Sequence, residues 1–478
     1  MNARWRIRAT ALVVFWTLAA PLLADPIDDF IQARLQSGKI PGIALLVMKD
    51  GAIAKQQGYG FANLELRVPV TPDTIFQSGS TGKQFAAAGI LLLAEAGKLK
   101  LDDRLAAYYP DAPAAWHRIT IRQLLTHTSG IKDYAALESG DLDFRKDYTD
   151  DELLAVMQKL PLEFEPGTQW SYSNSGYLIL GLLMTKLTGK DYSDFLAERL
   201  FKPLGMQTTR LISERDIIAN RAAGYQLDEH GTVVNQDWVA PGLNRTADGA
   251  LYFSIRDLAA WERALEARSF MSEQSFAAWW TAASFTNGSR YPYGFGWSLD
   301  EQRGEPVIEH SGSWQGFKVA IWRYPNQRLA VMVLTNSANA NPSAIARGVA
   351  GLVDHALAAR LPAAAPLKSD TELSNSLHGV LEAWGGFRTV PAMAPALAAT
   401  ATGSASEAYD RQNVAAQLRI TRSLRVLGSD RLSQPAVDLL ADGSVTAVDA
   451  VLETDQAMVP VRLHLDAKRR VVSFAVDD

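Results

Sequence analysis

The chain has 478 residues, of which 47% are hydrophobic and 21% charged, and its net charge is −5. That length is too great for one ordinary domain, and the composition is that of a globular protein burying large cores. The mild charge, with no basic cluster, argues against a nucleic-acid surface, and the lack of cysteine excludes disulfides, zinc–thiolate sites and a cysteine nucleophile.

Arg4, Arg6 and Arg8 precede an apolar run from Ala9 to Ala20, and small or apolar residues continue to Ala24. This is the pattern of a secretory signal peptide, so residues 1–24 are expected to be removed after Ala24. The alternative is an uncleaved anchor, but the run is short for a span and Pro21 interrupts it. The mature protein is then expected in a bacterial periplasm or outside the cell, with no stable membrane span.

From Ile43 to Glu65 the pattern predicts a hairpin around Asp50-Gly51. A helix follows over about residues 80–97, so apolar (AAAGILLLA) that it must be buried on most sides. Further helices are expected near 150–160, 176–188 and 192–202, and the polar segment 137–148 reads as a surface loop or lid. Strands return in FKVAIWRYP and RLAVMVLTN. Strands at both ends of a helical middle predict an antiparallel sheet closed by the two chain ends, flanked by helices, with a helical region inserted.

After a linker at 361–370, residues 371–478 are expected to form a small α+β domain. Leu373, Leu377, Val380, Leu381 and Trp384 make one helix face, 391–406 is low-complexity loop, and the tail alternates as strands. No catalytic constellation is visible there, and His378 and His464 look isolated. This unit could serve binding or oligomerisation.

The chemistry centres on Ser80-Thr81-Gly82-Lys83. Residues three apart on a helix share a face, so Lys83 can reach Ser80. A serine needs a neighbouring base, and a desolvated lysine can be one. The first turn also offers free N–H groups to an oxyanion. A second Ser-x-x-Lys, Ser129 to Lys132, opens no apolar helix. The stretch is not a phosphate loop, because Gln77 and Gln84 stand where a glycine and a Ser or Thr are needed. No His-Glu-x-x-His or other metal-ligand spacing occurs, so no metal or cofactor is expected.

The stretch FQSGSTGKQFAAAGILLLAEAGKLKLDD resembles the nucleophile region of the serine β-lactamase and D-alanyl-D-alanine carboxypeptidase family. The likeness is closest to the class C-like branch, with its esterases and D-amino-acid amidases. It continues through ITIRQLLTHTSGI, EPGTQWSYSNSGYLILGLLMTKLTG, GALYFSIRDLAAW, YGFGW and EHSGSWQGFKVAIWRYPNQRLAVMVLTN, covering about residues 25–360. It implies an α/β (α+β) β-lactamase-like fold.

The same resemblance implies roles. Tyr172 of Tyr-x-Asn would shuttle protons jointly with Lys83, and Asn174 would bond Lys83 and the substrate's acyl-side amide. A phenol near an ammonium is expected to lean towards phenolate. His310-Ser311-Gly312 would be the third motif, on a strand lining the site. Gly312 would let a substrate backbone pair closely, the Ser313 N–H would join that of Ser80 as oxyanion hole, and Trp314 would wall the acyl pocket. His127 is read as a structural imidazole bonding backbone. A histidine in place of the usual lysine offers no firm cation for a substrate carboxylate, which weakens the case for a dedicated β-lactamase. The expected function is hydrolysis of a small-molecule or peptide substrate through a Ser80 acyl-enzyme, by carboxypeptidase-like, amidase or esterase action. The alternatives are a β-lactamase and an inactive penicillin-binding or regulatory protein.

Overall fold

The computed structural model describes residues 25–137, 142–359, 375–381, 393, 421–440, 442, 444–454 and 458–476. The expected signal peptide, the linker and nearly all of the low-complexity stretch lie outside these residues, as do Leu373 and Trp384.

The predicted hairpin forms from Gly42–Lys49 and Ala52–Asn63, and both turn residues take positive φ, 51° at Asp50 and 78° at Gly51. Two such residues in succession match the twist of the flanking strands, which is why Asp-Gly suits the position. Gly42–Lys49 pairs antiparallel on its other side with Leu329–Thr335, Ile43 opposite Thr335. The two ends of this body therefore meet at the centre of a seven-stranded sheet, as the pattern predicts. Its order runs from Ser298–Gln302 through Glu305–Trp314, Phe317–Tyr324, Leu329–Thr335, Gly42–Lys49 and Ala52–Asn63 to Val68–Pro69.

Both sheet faces are covered, so the central strands are apolar almost throughout. Ile43, Leu45 and Val47 pack with the helices Pro26–Ser37 and Pro342–Val353. Ala44, Leu46 and Met48 face the larger core, which contains the helices Lys83–Glu95 and Asn174–Thr188. Every residue from Lys83 to Leu93 is buried, as the run of apolar residues requires. Helices expected near 150–160 and 176–188 appear as Asp150–Gln158 and Asn174–Thr188, the first with a Thr149/Glu152 capping box. The expected helix at 192–202 is one α turn, Tyr192–Leu196, continued as a π-helix over Ala197–Phe201.

One boundary differs in a way that matters. The helix expected from Ser80 begins as an α-helix only at Lys83, and Gly79–Gly82 is a 3₁₀ turn. The cause is crowding. A Cβ on Gly312 would clash with Ser78 O and lie 2.8 Å from Ser80 N, and one on Gly249 would lie 2.7 Å from Gly79 C. The turn is pinched between the strand edge and the 246–251 loop, leaving no room for a wider α turn.

The C-terminal unit is a four-stranded antiparallel sheet, Thr421–Arg431, Ser444–Thr454, Met458–Asp466 and Val471–Val476. Leu377, Val380 and Leu381 of a short helix pack on it. Charged pairs join it to the main sheet. Glu301, whose side chain is fully buried, receives both Arg462 and His464, and Arg303 meets Asp430 at 2.8 Å. His464 also meets Ser473 at 2.9 Å, so it lies on a strand as expected but is not isolated. Among the described residues, no helix is long and apolar enough to cross a membrane.

Candidate active site

Ser80 sits in the 3₁₀ turn and Lys83 opens the helix behind it, so the two side chains meet as the spacing predicts. Lys83 Nζ lies 3.1 Å from Ser80 Oγ, 2.6 Å from Asn174 Oδ1 and 2.7 Å from the Asp248 carbonyl. Burial pushes the Lys83 ammonium down to about 8, against the pull of Asp248 and Asp133. Loss of one proton leaves two N–H groups for Asn174 and Asp248 and a lone pair facing Ser80 Oγ.

Asn174 is held by Asp133, which accepts from its backbone N–H at 3.0 Å and its amide at 3.1 Å. Burial pushes Asp133 up to about 6. Asp133 carries no motif of its own in the sequence. It becomes meaningful only when the 128–134 loop is seen to reach the start of the Asn174 helix.

Tyr172 departs from the expectation of a phenolate. Its hydroxyl is buried with no hydrogen bond among the described residues. Burial pushes the phenol well above its ordinary range, and the neighbouring Ser80 side chain opposes that shift only in part. Lys83 Nζ lies 4.8 Å from the ring centroid, and burial outweighs any pull towards phenolate. Of the two groups, Lys83 is the one poised to accept a proton.

His310 lies on Glu305–Trp314, where only the first half of the strand is paired on its outer side. The neighbouring Ser298–Gln302 stops at Ser298 opposite Glu309, so the edge from His310 to Trp314 is left facing Ser80. A Cβ on Gly79 would lie 2.5 Å from Ser313 N and one on Gly312 would lie 2.8 Å from Ser80 N, so the backbones carrying these two N–H groups approach closely along this edge. Such a pair is the geometry for holding an oxyanion.

The histidine is more fully neutral than a partial charge would suggest. Burial, and then the Lys83 charge, push the imidazole down to about 3. Its Nδ1–H donates to Ser311 O at 2.6 Å, leaving Nε2 to accept from Tyr293 Oη at 2.9 Å. Tyr293 Oη in turn meets His127 Nε2 at 3.1 Å. His127 Nδ1 accepts the Ser173 N–H at 3.1 Å, which fixes its proton on Nε2. One line of hydrogen bonds thus runs from Ser173 through His127 and Tyr293 to His310. His127 bonds backbone as expected, and its ring also lies against Tyr172, 4.3 Å between centroids. Tyr293 was not singled out from the sequence, since its two partners are far from it in the chain.

Two cavities meet at Ser80 and Ser313. The larger, about 670 Å³, is lined by Tyr172, His310, Ser311, Gly312 and the stacked pair Trp170 and Tyr291. The smaller, about 140 Å³, is lined by Asn174, Tyr134, Thr246, Asp248 and Trp314. Trp314 is fixed by Asn244, 2.6 Å from its indole N–H, and faces Phe144 of the predicted lid segment at 6.2 Å. Of that segment, residues 138–141 lie outside the described residues. The second Ser-x-x-Lys is a loop, with Ser129 Oγ turned to the Ile131 N–H.

Residues 27–354 match the Beta-lactamase family. The chain belongs to that family. A penicillin-binding protein of Bacillus subtilis is 31% identical over 310 residues, 61% of this chain and 67% of that protein. A Brucella anthropi D-aminopeptidase is 31% identical over 316 residues, 65% of this chain and 59% of the relative, so the match spans under two thirds of it. Among solved structures, the D-amino acid amidase of Ochrobactrum anthropi SV3 has a TM-score of 0.58 at 25% identity, covering 70% of this chain and 98% of that one. The octameric penicillin-binding protein homologue of Pyrococcus abyssi, with a TM-score of 0.62 at 23% identity, covers 92% of this chain and 96% of its own. That likeness is one of fold and extends beyond the family match. The chain is thus a β-lactamase-like protein among serine hydrolases of the penicillin-binding protein, aminopeptidase and amidase kind.

Proposed function

We propose that this protein is an exported serine hydrolase that cleaves ester or amide bonds through an acyl-enzyme on Ser80. The observation that carries the reading is Lys83 Nζ at 3.1 Å from Ser80 Oγ, with its other bonds already taken by Asn174 and Asp248. Neutral Lys83 takes the hydroxyl proton as Ser80 Oγ attacks the carbonyl carbon. The oxyanion forms against the N–H groups of Ser80 and Ser313. The proton passes by way of Lys83 and the Tyr172 hydroxyl to the leaving group, whose bond to carbon breaks. Water then releases the acyl group by the reverse relay.

Tyr172 and His310 line only the larger cavity, so the leaving group departs there and the acyl group occupies the smaller one. The names of the relatives, D-aminopeptidase and D-amino acid amidase, favour amide substrates with carboxypeptidase-like or amidase action, with simple esters as the other candidates. A dedicated β-lactamase is less favoured, because the third motif carries a neutral His310 where a lysine is usual. An inactive binding protein is disfavoured by the intact Ser80, Lys83 and Tyr172 set.

Intact mass after incubation with a fluorophosphonate, and separately with a penicillin, tests the reading. One adduct on Ser80, absent in Ser80→Ala and retained in Ser129→Ala, is expected. A label on another serine sinks it.

A further inference from the structure

Asp248 holds a carboxylate that the proton relay does not use. Its backbone carbonyl accepts from Lys83, and its Oδ2 accepts from the Tyr134 hydroxyl at 3.0 Å. The residue is only 8% exposed, and Oδ1 has no hydrogen-bond partner among the described residues. A buried carboxylate oxygen left unpaired is unfavourable, and a donor arriving with substrate would relieve it. Among the described residues that line the smaller cavity, Asp248 is the only charged one. The three Lys83 bonds go to Ser80, Asn174 and the Asp248 backbone carbonyl, so none of them reaches the carboxylate.

We infer that Asp248 is the anchor for an α-ammonium group on the acyl side of the substrate, so that the preferred acyl donors are aminoacyl compounds with a free amino terminus. The position fits. Asp248 and Ser80 line the same cavity, and Lys83 bonds both the Ser80 hydroxyl and the Asp248 backbone carbonyl. The surroundings fit as well. An ammonium has three donors, and Asp248, Tyr134 and Thr246, each with a side-chain oxygen, all line this cavity. Tyr134 spends its proton on Asp248 and keeps its lone pairs. The volume of about 140 Å³ suits a small acyl residue such as alanine and leaves little room for an N-acyl chain. A single carboxylate also suits an ammonium better than a metal ion, which draws several ligands.

This inference rests on the Ser80 acyl-enzyme reading for its chemistry, but its binding step can be measured without it. Alanine methyl ester and N-acetylalanine methyl ester, in both enantiomers, differ in the ammonium. The wild type should prefer the free-amino ester by about tenfold or more in kcat/KM, and Asp248→Asn should reduce that ratio by about tenfold. No preference, or a preference for the N-acetyl ester, overturns the inference. An equal loss on both esters does so too, since Asp248 would then act only through Lys83. In the Ser80→Ala protein, alaninamide should raise Tm where N-acetylalaninamide does not, and adding Asp248→Asn should abolish the shift. Absence of the alaninamide shift overturns the ammonium site even if Ser80 carries the acyl group. A shift with no fluorophosphonate adduct on Ser80 upholds the site and sinks the acyl-enzyme.

Discussion

Lys83 sets the pH behaviour at the scale of single residues. Its folded value is depressed to about 8, so the neutral base becomes more abundant as pH rises through that point. The acylation rate should therefore climb around pH 8 and level off above it. Tyr172 lies well above its ordinary range and His310 falls to about 3, so neither should add a limb near 6.5. Stopped-flow acylation with a neutral ester between pH 5 and 9.5 measures this; because Asp133 is itself pushed up to about 6, a limb near 6.5 that persists in Asp133→Asn would falsify the neutral-histidine assignment. Lys83→Ala and Tyr172→Phe should each slow turnover strongly, and the double variant should lose far less than the product of the two. Multiplying losses would show two independent groups. Tyr293→Phe should leave His127 and His310 without their shared hydroxyl, lowering stability by about 1–3 kcal/mol, read as a fall in Tm. Motif spacing and resemblance picked out Ser80, Lys83, Tyr172, Asn174 and His310, and the structure gathers them around two cavities. Asp133 and Tyr293 were not legible, because only the folded loops bring their partners near, nor was Asp248, because the cavity it lines exists only in the folded chain.

At the scale of elements, the pinched 3₁₀ turn is the part most exposed to a small change. Gly312→Ala would drive a methyl group into the backbone of Ser78 and Ser80. The strand edge must then retreat, widening the gap between the Ser80 and Ser313 N–H groups. The expected result is a loss of about 2.7–4 kcal/mol of transition-state stabilisation, as when one oxyanion donor is removed. Far-UV circular dichroism should be unchanged while kcat falls. Unaltered kcat would show that the gap is not the oxyanion site. Repetition made other elements legible: the Asp50-Gly51 hairpin, the alternating C-terminal strands and the long apolar helix all carry their own periodicity. The strand Thr421–Arg431 and the helix Gln434–Leu440 do not. The first mixes Arg, Ser and Gly with few apolar residues, and the second is too short for a helical period to emerge.

For the whole molecule, the join between the two units is electrostatic. Burial alone would raise Glu301, but His464 and Arg462 outweigh it and hold the carboxyl well below its ordinary range. His464 is lowered by burial and raised more by Glu301, for a net rise. Glu301 therefore contributes stability above its unfolded value of about 4.3, lost as pH falls. His464 contributes below its unfolded value of about 6.5, and that share is lost as pH rises through its raised folded value. The join should be tightest between these limits and loosen in alkali. Arg462→Ala strips a partner from a buried carboxylate and should weaken the C-terminal unit by on the order of 3 kcal/mol. Hydrogen exchange of Ser444–Thr454 is the readout, with unchanged protection counting against the join. The sequence showed the charges but not their pairing, since His464 and Arg462 meet Glu301 from a different sheet.

The pairing of Gly42–Lys49 with Leu329–Thr335 also governs timing. A chain emerging from the ribosome holds its first strand ready long before the partner exists. Until Thr335 appears, the sheet has no middle, and closure must then span the whole intervening chain. The catalytic body should thus mature late and all at once, and a nascent chain stopped short of residue 335 should remain open to proteases.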